Sequence, residues 1–271
     1  MVPIHRAVLT RPQDGNKLAP ELHPDNPKAQ KIVADSMNTR AACFWATECG
    51  RGCSIRANYQ STTVHLPPAL ATGNLDIIPN AHVREVIVGK DGKAKGVLFI
   101  DKTTGKEERV KGKAVVLAAS SGETVRILLN SASGDGIANS SGLVGKYIMD
   151  TVGSDMLGQI PSLENLPAHN DDGAGGTHFY SPWWLYKEQK AGKLDFARGY
   201  HIEIGGTRGM PKGNSPVPTH YLKGLYGTKL KEAARRYYGS FVHLACRGEM
   251  IPNEGSFAEL DSEVKDKWGI P

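Results

Sequence analysis

The pattern of apolar positions over residues 74–120 predicts a run of short strands. An apolar stretch at 74–80 (NLDIIPN) predicts a first strand. The β-branched valines of HVREVIVG, the turn residues Lys90–Gly92 and the returning stretch AKGVLFID then predict a β-hairpin. A last strand is predicted at Ala114–Ala119, which is apolar on successive residues, as is typical of a strand covered on both faces in a parallel sheet.

A helical pattern follows this last predicted strand. In GETVRILLNS, Val125, Leu128 and Leu129 fall on one stripe of a helix. A strand, a tight turn and a helix leave backbone N–H groups at the helix start facing whatever lies above the sheet edge. The pattern therefore predicts an α/β region with a turn that faces a cofactor.

The remaining chain divides near Ile148–Gly153. Residues 1–40 are polar and proline-bearing, which predicts irregular structure with one or two helical turns near Lys28–Ser36. The stretch YQSTTVHLPPALATG predicts a helix interrupted at Pro67–Pro68 and ended by Gly73. Beyond residue 150, GYHIEIGG and GSFVHLACRGEM predict strands of an antiparallel sheet, and LKEAARRYYG predicts a helix.

Composition narrows the class of protein without naming a function. The 271 residues are 39% hydrophobic and 23% charged, which excludes a wholly disordered chain. The 33 basic residues exceed the 28 acidic residues by only five and form no long basic run, so nucleic-acid binding is not expected. The sequence contains no apolar stretch of the roughly 20 residues that a membrane-spanning helix needs. Both a cytoplasmic and a periplasmic location stay open.

Cysteines and histidines give no metal or catalytic signature. Cys43, Cys49 and Cys53 are spaced C-x5-C-x3-C, which does not match the spacing of zinc sites, and a disulfide and buried thiols remain alternatives. His178, His201 and His243 fall in the second region, where they could line a substrate pocket, although an isolated histidine is more often structural. The sequence contains no complete G-x-G-x-x-G, Walker, H-E-x-x-H or G-x-S-x-G motif.

Two long stretches, taken together, resemble a known family. They are CGRGCSIRANYQSTTVHLPPALATGNLDIIPNAHVREVIV and KAVVLAASSGETVRILLNSASGDGIANSSGLVGKYIMD. In order and spacing they resemble the central segment of the glucose-methanol-choline (GMC) oxidoreductases, flavoenzymes that oxidise alcohols and sugars with FAD. The likeness is greatest to the bacterial branch near the gluconate and fructose dehydrogenase flavoprotein subunits. Glu249–Pro271 resembles the strand pair by which that family's substrate domain returns to its flavin domain.

The resemblance implies an α/β fold, α+β overall, with two domains. Residues 1–150, with 1–40 irregular, would be a partial FAD-binding, Rossmann-like domain with a β-meander. Residues 151–271 would be an antiparallel-sheet substrate-binding domain, with 249–271 returning toward the FAD domain.

The resemblance also implies four cofactor-binding residues. Val83 matches the position whose backbone N–H and C=O pair with the FAD adenine, and its neighbour His82 is expected to face solvent or that adenine end. Ala118, Ala119 and Ser120 match the small residues that lie against the cofactor. The family usually has glycine at the position of Ser120 and proline at the position of Val125, so this chain departs from the pattern there.

The function implied is FAD-dependent oxidation of CH–OH groups of alcohols or sugars. In the family, G-x-G-x-x-G precedes the matched segment and a catalytic histidine follows it. We therefore expect an internal fragment, inactive in isolation, and assign no catalytic residue and no metal. Its expected partners are an alcohol or sugar substrate and an electron-transfer subunit, with a cytochrome or a quinone as acceptor. The alternative is a non-catalytic accessory protein that retains the substrate domain.

Overall fold

The chain forms two compact units. The computed structural model describes residues 1–12, 14, 26–44, 49, 52–132, 134–167, 179–206 and 217–271. Unit 1 consists of Met1–Asp76 and Thr151–Glu249, and unit 2 of Ile77–Asp150 and Met250–Pro271. The assignment of residues 1–150 to a flavin domain and 151–271 to a substrate domain stays a prediction.

Both units contain helices and strands, which gives the chain a mixed α/β character. The helices are α1 (Pro27–Asn38), α2 (Ser61–Val64), α3 (Leu66–Ala71), α4 (Ser120–Asn130), α5 (Tyr186–Lys190), α6 (Thr219–Leu222) and α7 (Gly227–Tyr237). The strands are β1 (Val2–Pro3), β2 (Ala81–Val88), β3 (Ala94–Asp101), β4 (Glu107–Lys111), β5 (Thr151–Gln159), β6 (Phe179–Ser181), β7 (Tyr200–Gly206) and β8 (Phe241–Glu249). A short 3₁₀ helix covers Pro161–Leu163.

Unit 1 is built on a five-stranded sheet with the strand order β1-β6-β7-β8-β5. Every neighbouring pair in it is antiparallel, which confirms the antiparallel sheet predicted beyond residue 150. Phe241 and Ala245 of β8 are each 2% exposed, and the Tyr221 ring packs edge-on against Phe241 with 5.0 Å between centroids. The predicted helix LKEAARRYYG is confirmed as part of α7.

The first 76 residues contain more helix than the sequence predicts. Where one or two helical turns were expected, the structure has a twelve-residue helix, α1. Its start is capped by Asn26, whose side-chain oxygen accepts the N–H groups of Lys28 and Ala29. The helix predicted around Pro67–Pro68 is confirmed as two short pieces, α2 and α3, with the prolines at the start of the second. Gly73, at φ +71°, follows the end of α3 as predicted.

Unit 2 contains a three-stranded antiparallel sheet with the order β2-β3-β4. The predicted hairpin is confirmed, and Gly92 in its turn has a φ of +72°. The strand predicted at residues 74–80 is wrong, since Ile77 and Ile78 lie outside any strand and are about half exposed. Pro79 lacks a backbone donor and Asn80 has a φ of +58°, so pairing begins only at Ala81.

The strand predicted at Ala114–Ala119 is also not formed. These residues run from the end of β4 to α4 without strand pairing, and Val116 is 87% exposed. A parallel strand gains its hydrogen bonds only from neighbouring strands, and the described residues supply none beside this segment. All strand pairs described here are antiparallel, so the Rossmann-like feature stays a proposal.

The strand pair predicted at Glu249–Pro271 is not formed. β8 ends at Glu249, and Met250–Pro271 forms turns and extended loops within unit 2. The Ala258 N–H donates to the Gly145 carbonyl at 2.8 Å, and the Ile270 side chain is 2% exposed. This segment is therefore held by its contacts with unit 2 rather than by strand pairing.

Candidate cofactor site

Val83 lies on the outer edge of the unit 2 sheet. It pairs with Phe99 in register, and the Lys102 N–H donates to the Asn80 carbonyl at the end of the same ladder. Residues whose backbone groups face the partner strand alternate with residues whose groups face away in an antiparallel pair. Counting from Asn80, the N–H and C=O of Val83 face away from β3, as backbone recognition of a planar base would require.

The C-terminal end of α4 fixes this edge next to Val83. The Asn130 side-chain amide donates to the Arg84 carbonyl at 3.1 Å, and the Val86 N–H donates to Ser131 Oγ at 2.8 Å. The ladder also contains a bulge between Val83 and Glu85. The bulge and the two hydrogen bonds hold the strand just beyond Val83 in one position relative to α4.

Ala118, Ala119 and Ser120 lie at the opposite end of the same helix. All three are exposed, and Ser120 is the first residue of α4. Ser120 has a φ of +66°, a left-handed conformation that favours glycine. The family that the sequence resembles usually has glycine at this position, and the backbone of Ser120 has the conformation that glycine would favour.

The structure thus places the predicted residues at two ends of one helix rather than in one cluster. An 11-residue α-helix is roughly 16 Å long, and this length separates Ser120 from the Asn130 contact with β2. The N-terminal turn of a helix presents unpaired backbone N–H groups, which favour an anion. An extended dinucleotide could reach both ends, with a base at β2 and phosphates near the start of α4.

A carboxylate and an arginine connect α4 to the last residues of unit 2. The Arg126 guanidinium donates to Asp266 Oδ2 at 2.9 Å and to the carbonyl oxygens of Ile270 and Pro271. Partial burial would raise the pKa of Asp266, but the backbone N–H groups of Ile270 and Trp268, together with Arg126, lower that pKa to about 2.

The histidines occupy separate places. His82 Nε2 lies 3.3 Å from Asp266 Oδ2, so its imidazole faces a carboxylate of its own unit. His201 lies 3.1 Å from Glu203, and His243 lies 3.3 Å from Asp155, both on the unit 1 sheet. His178 lies outside the described residues. All four cysteines lie among the described residues and none of them is in a disulfide, and Cys49 and Cys53 are buried. This decides between the two alternatives left open by the sequence.

Comparison with known proteins identifies the segment that carries these features. Residues 27–153 match the family described as GMC oxidoreductase. Over these residues the chain belongs to the GMC oxidoreductase family. This confirms the resemblance drawn from the sequence. Membership supports an oxidoreductase role, and FAD is the cofactor expected for a flavoprotein of this family.

Two relatives match most of the length of this chain. It is 30% identical over 213 residues to a 2-methyl-1,2-propanediol dehydrogenase of Mycolicibacterium austroafricanum, a match that covers 78% of this chain and 37% of the relative. It is 29% identical over 235 residues to the fructose dehydrogenase large subunit of Gluconobacter japonicus, a match that covers 86% of this chain and 40% of the relative. The chain spans about two fifths of the length of these relatives.

Three polar residues of the unit 1 sheet, Asp155, Glu203 and Arg247, escaped the sequence predictions. They share one face of this sheet with His201 and His243. Asp155 and Glu203 both pair with Ala245 of β8, and His201 pairs with Arg247. His243 and Arg247 each lie two residues from Ala245 along β8, so their side chains point to the same face. The alternation of polar residues in GYHIEIGG and FVHLACRGE could have indicated such a face, but only the register brings the three strands together.

None of the helices in the described part of the chain has the length and the apolar composition of a membrane-spanning segment.

Proposed function

We propose that this GMC chain belongs to an FAD-dependent oxidoreductase that acts on CH–OH groups of alcohols or sugars. The observation that carries the proposal is the backbone edge at Val83, which faces away from β3 and is joined by α4 to an exposed turn of small residues at Ala118–Ser120. Because the chain spans only part of its relatives, the reaction proposed is that of the whole protein. The described residues are proposed to bind the cofactor.

Each predicted residue has a physical role in this proposal. The outward N–H and C=O of Val83 would pair with the adenine edge. Ala118 and Ala119 would permit close approach, since a larger side chain at either position would occupy the space above the turn. The first N–H groups of α4, beginning at Ser120, would bind phosphate oxygens. Bound FAD would supply the chemistry of the reaction by accepting hydride from the alcohol carbon.

The substrate and the electron acceptor are proposed at the level of chemical class. One relative is named for a branched diol and the other for a ketose, so both support an alcohol or sugar substrate. The second relative is a large subunit, which supports an electron-transfer partner subunit for this protein as well. A cytochrome or a quinone would then accept the electrons.

Flavin binding by the purified 271-residue chain tests the proposal directly. We expect added FAD to bind with a shift in its visible absorption and quenching of its fluorescence. Ala119→Leu should weaken binding because its side chain fills the space over the α4 turn. Ala191→Leu is the matched control, since Ala191 is also exposed and lies at the end of α5 in unit 1. Equal FAD affinity in both variants would contradict the assigned site.

A second pair of variants tests the backbone role of Val83. Val83→Pro removes an N–H that faces away from β3, so the ladder with β3 should survive. Loss of one hydrogen bond to the base should weaken FAD binding roughly threefold to tenfold. Val83→Ala retains the N–H and should bind FAD like the parent chain. Equal affinity of the proline variant, with its hairpin intact by circular dichroism, would exclude this contact.

A further inference from the structure

Unit 1 contains a cleft of about 350 Å³ at one end of its sheet. We define the aromatic cleft by six residues that line it, which are Tyr180, Trp183, Tyr200, His201, Arg247 and Glu249. All six lie on β6, β7, β8 or the segment that follows β6, and therefore within one unit. The volume falls at the small end of the range for ligand pockets, which suits a ligand of monosaccharide size.

Aromatic rings form one wall of the aromatic cleft. The Trp183 ring lies 5.0 Å from the Tyr200 ring between centroids, and Trp184 and Phe196 pack around the same pair. Trp183 Nε1 donates to Gln189 Oε1 at 3.1 Å, which fixes the orientation of the indole. Gly199 leaves room for it, because a Cβ there would lie only 3.2 Å from Trp183 Cγ. The wall is therefore a fixed apolar platform.

Hydrogen-bonding groups form a second wall of the aromatic cleft. His201 lies directly opposite Arg247 in register, and Glu249 follows two residues along the same strand, so these side chains share one sheet face. Their side chains are partly exposed, at 41% for His201 and 36% for Arg247. Glu249 Oε2 accepts the Gly199 N–H at 3.2 Å, which holds the carboxylate at the rim. This wall offers both donors and acceptors within one small cleft.

We propose that the aromatic cleft binds a polyhydroxylated ligand of monosaccharide size. The C–H face of a sugar packs on an aromatic ring, and its hydroxyl groups both donate and accept hydrogen bonds, which matches the two walls. A free anion is disfavoured because Arg247 already lies 3.4 Å from Asp155 and Glu249 adds negative charge. A small alcohol would leave much of the aromatic wall uncovered. The inference that this ligand is the substrate of the CH–OH oxidation rests on the proposed function, whereas binding of the ligand itself requires no flavin.

Binding of D-fructose and D-glucose to the full 271-residue chain tests the inference. Saturation-transfer NMR reports contact with the sugar directly, and tryptophan fluorescence reports the state of Trp183. We expect saturable binding of at least one of the two sugars, with a dissociation constant on the order of 1 mM. 1,2-Propanediol, which has two hydroxyl groups and little C–H face, should bind at least tenfold more weakly.

Variants on each wall, with matched controls, locate the bound sugar. Arg247→Gln and Trp183→Leu should each weaken sugar binding at least tenfold. Arg235→Gln changes an exposed arginine of α7, and Trp268→Phe changes a tryptophan of unit 2, so both should bind like the parent chain. Gly199→Ala, which displaces the Trp183 ring without removing it, should also weaken binding and covers the case in which Trp183→Leu fails to fold.

Two results would overturn the inference. One is the absence of a saturable sugar signal up to about 100 mM, a concentration at which even very weak binding would be detected. The other is equal sugar affinity in the folded cleft variants and their controls. Failure of the proposed function looks different, since a chain that does not bind FAD could still bind sugar in unit 1. Conversely, a chain that binds FAD but no sugar would refute only the aromatic cleft.

Discussion

Ser131 connects α4 to the edge of β2 through one hydroxyl group. Ser131 Oγ accepts the Val86 N–H at 2.8 Å and donates to the Ile127 carbonyl at 2.6 Å, with the Ser131 side chain fully buried. The bond joins the two elements that carry the predicted cofactor residues. This buried hydroxyl, together with the Asn130 amide that donates to the Arg84 carbonyl, therefore sets how the Val83 edge is placed relative to α4.

Removal of this hydroxyl should destabilise unit 2. Ser131→Ala leaves the buried Val86 N–H without its partner, which should lower the free energy of unfolding by about 2 kcal/mol. Urea unfolding followed by circular dichroism measures the loss. Ser141→Ala is the control, because Ser141 is exposed and accepts only a 3.3 Å bond from the Leu143 N–H. A similar small effect in both variants would show that the Val86 contact contributes little.

Acid should weaken the contact between Asp266 and Arg126. The folded pKa of about 2 lies below the ordinary value of 3.8, so the ionised carboxylate stabilises the folded state above pH 4. This contribution is lost as the pH falls from about 4 to 2. We expect this contribution to the free energy of unfolding to be roughly 1 kcal/mol, since solvent screens the exposed edge of Asp266. Urea unfolding measured at pH 5 and at pH 2.5 should show its loss.

Asp266→Asn isolates this carboxylate from all others that titrate in acid. At pH 5 the variant should be less stable than the parent chain, because the amide pairs less favourably with Arg126 and His82, which both face Asp266. The difference should shrink at pH 2.5, where the parent carboxyl is partly protonated. A difference independent of pH would show that the Asp266 charge does not act in this window.

The left-handed backbone of Ser120 predicts a stabilising substitution. Ser120→Gly should raise the free energy of unfolding by up to about 1 kcal/mol, since glycine adopts a φ of +66° without steric cost. Ser121→Gly should instead lower it by about 0.5–1 kcal/mol, because Ser121 lies within α4. Thermal unfolding of the two variants should shift in opposite directions. A downward shift for both would show that Ser120 is not strained.

The exposure of Val116 predicts tolerance to charge. Val116→Lys should change the free energy of unfolding by less than about 0.5 kcal/mol, because the side chain is 87% exposed. Val86→Lys, on the buried face of β2, should cost several kcal/mol and serves as the contrast. Strong destabilisation by Val116→Lys would instead support the covered strand predicted from the sequence.

Local patterns in the sequence were sufficient for several elements of the fold. The hairpin around Gly92, the proline-interrupted helix before Gly73 and the helix that contains Val125 all depend on near neighbours in the chain, and all three are confirmed. The family membership of residues 27–153 was likewise accessible from order and spacing alone. These features depend on local chemistry, such as turn residues, helix caps and side-chain periodicity.

Only the tertiary structure decided the features that depend on distant partners. The apolar run at Ala114–Ala119 is suited to a buried strand, yet it remains unpaired because strand formation needs neighbours that the described residues do not supply. The opposed positions of His201 and Arg247 follow from sheet register, which no local pattern determines. The sequence by itself determined the family of residues 27–153, the hairpin and the helices that contain Pro67, Val125 and Arg235, while long-range pairing decided which residues meet.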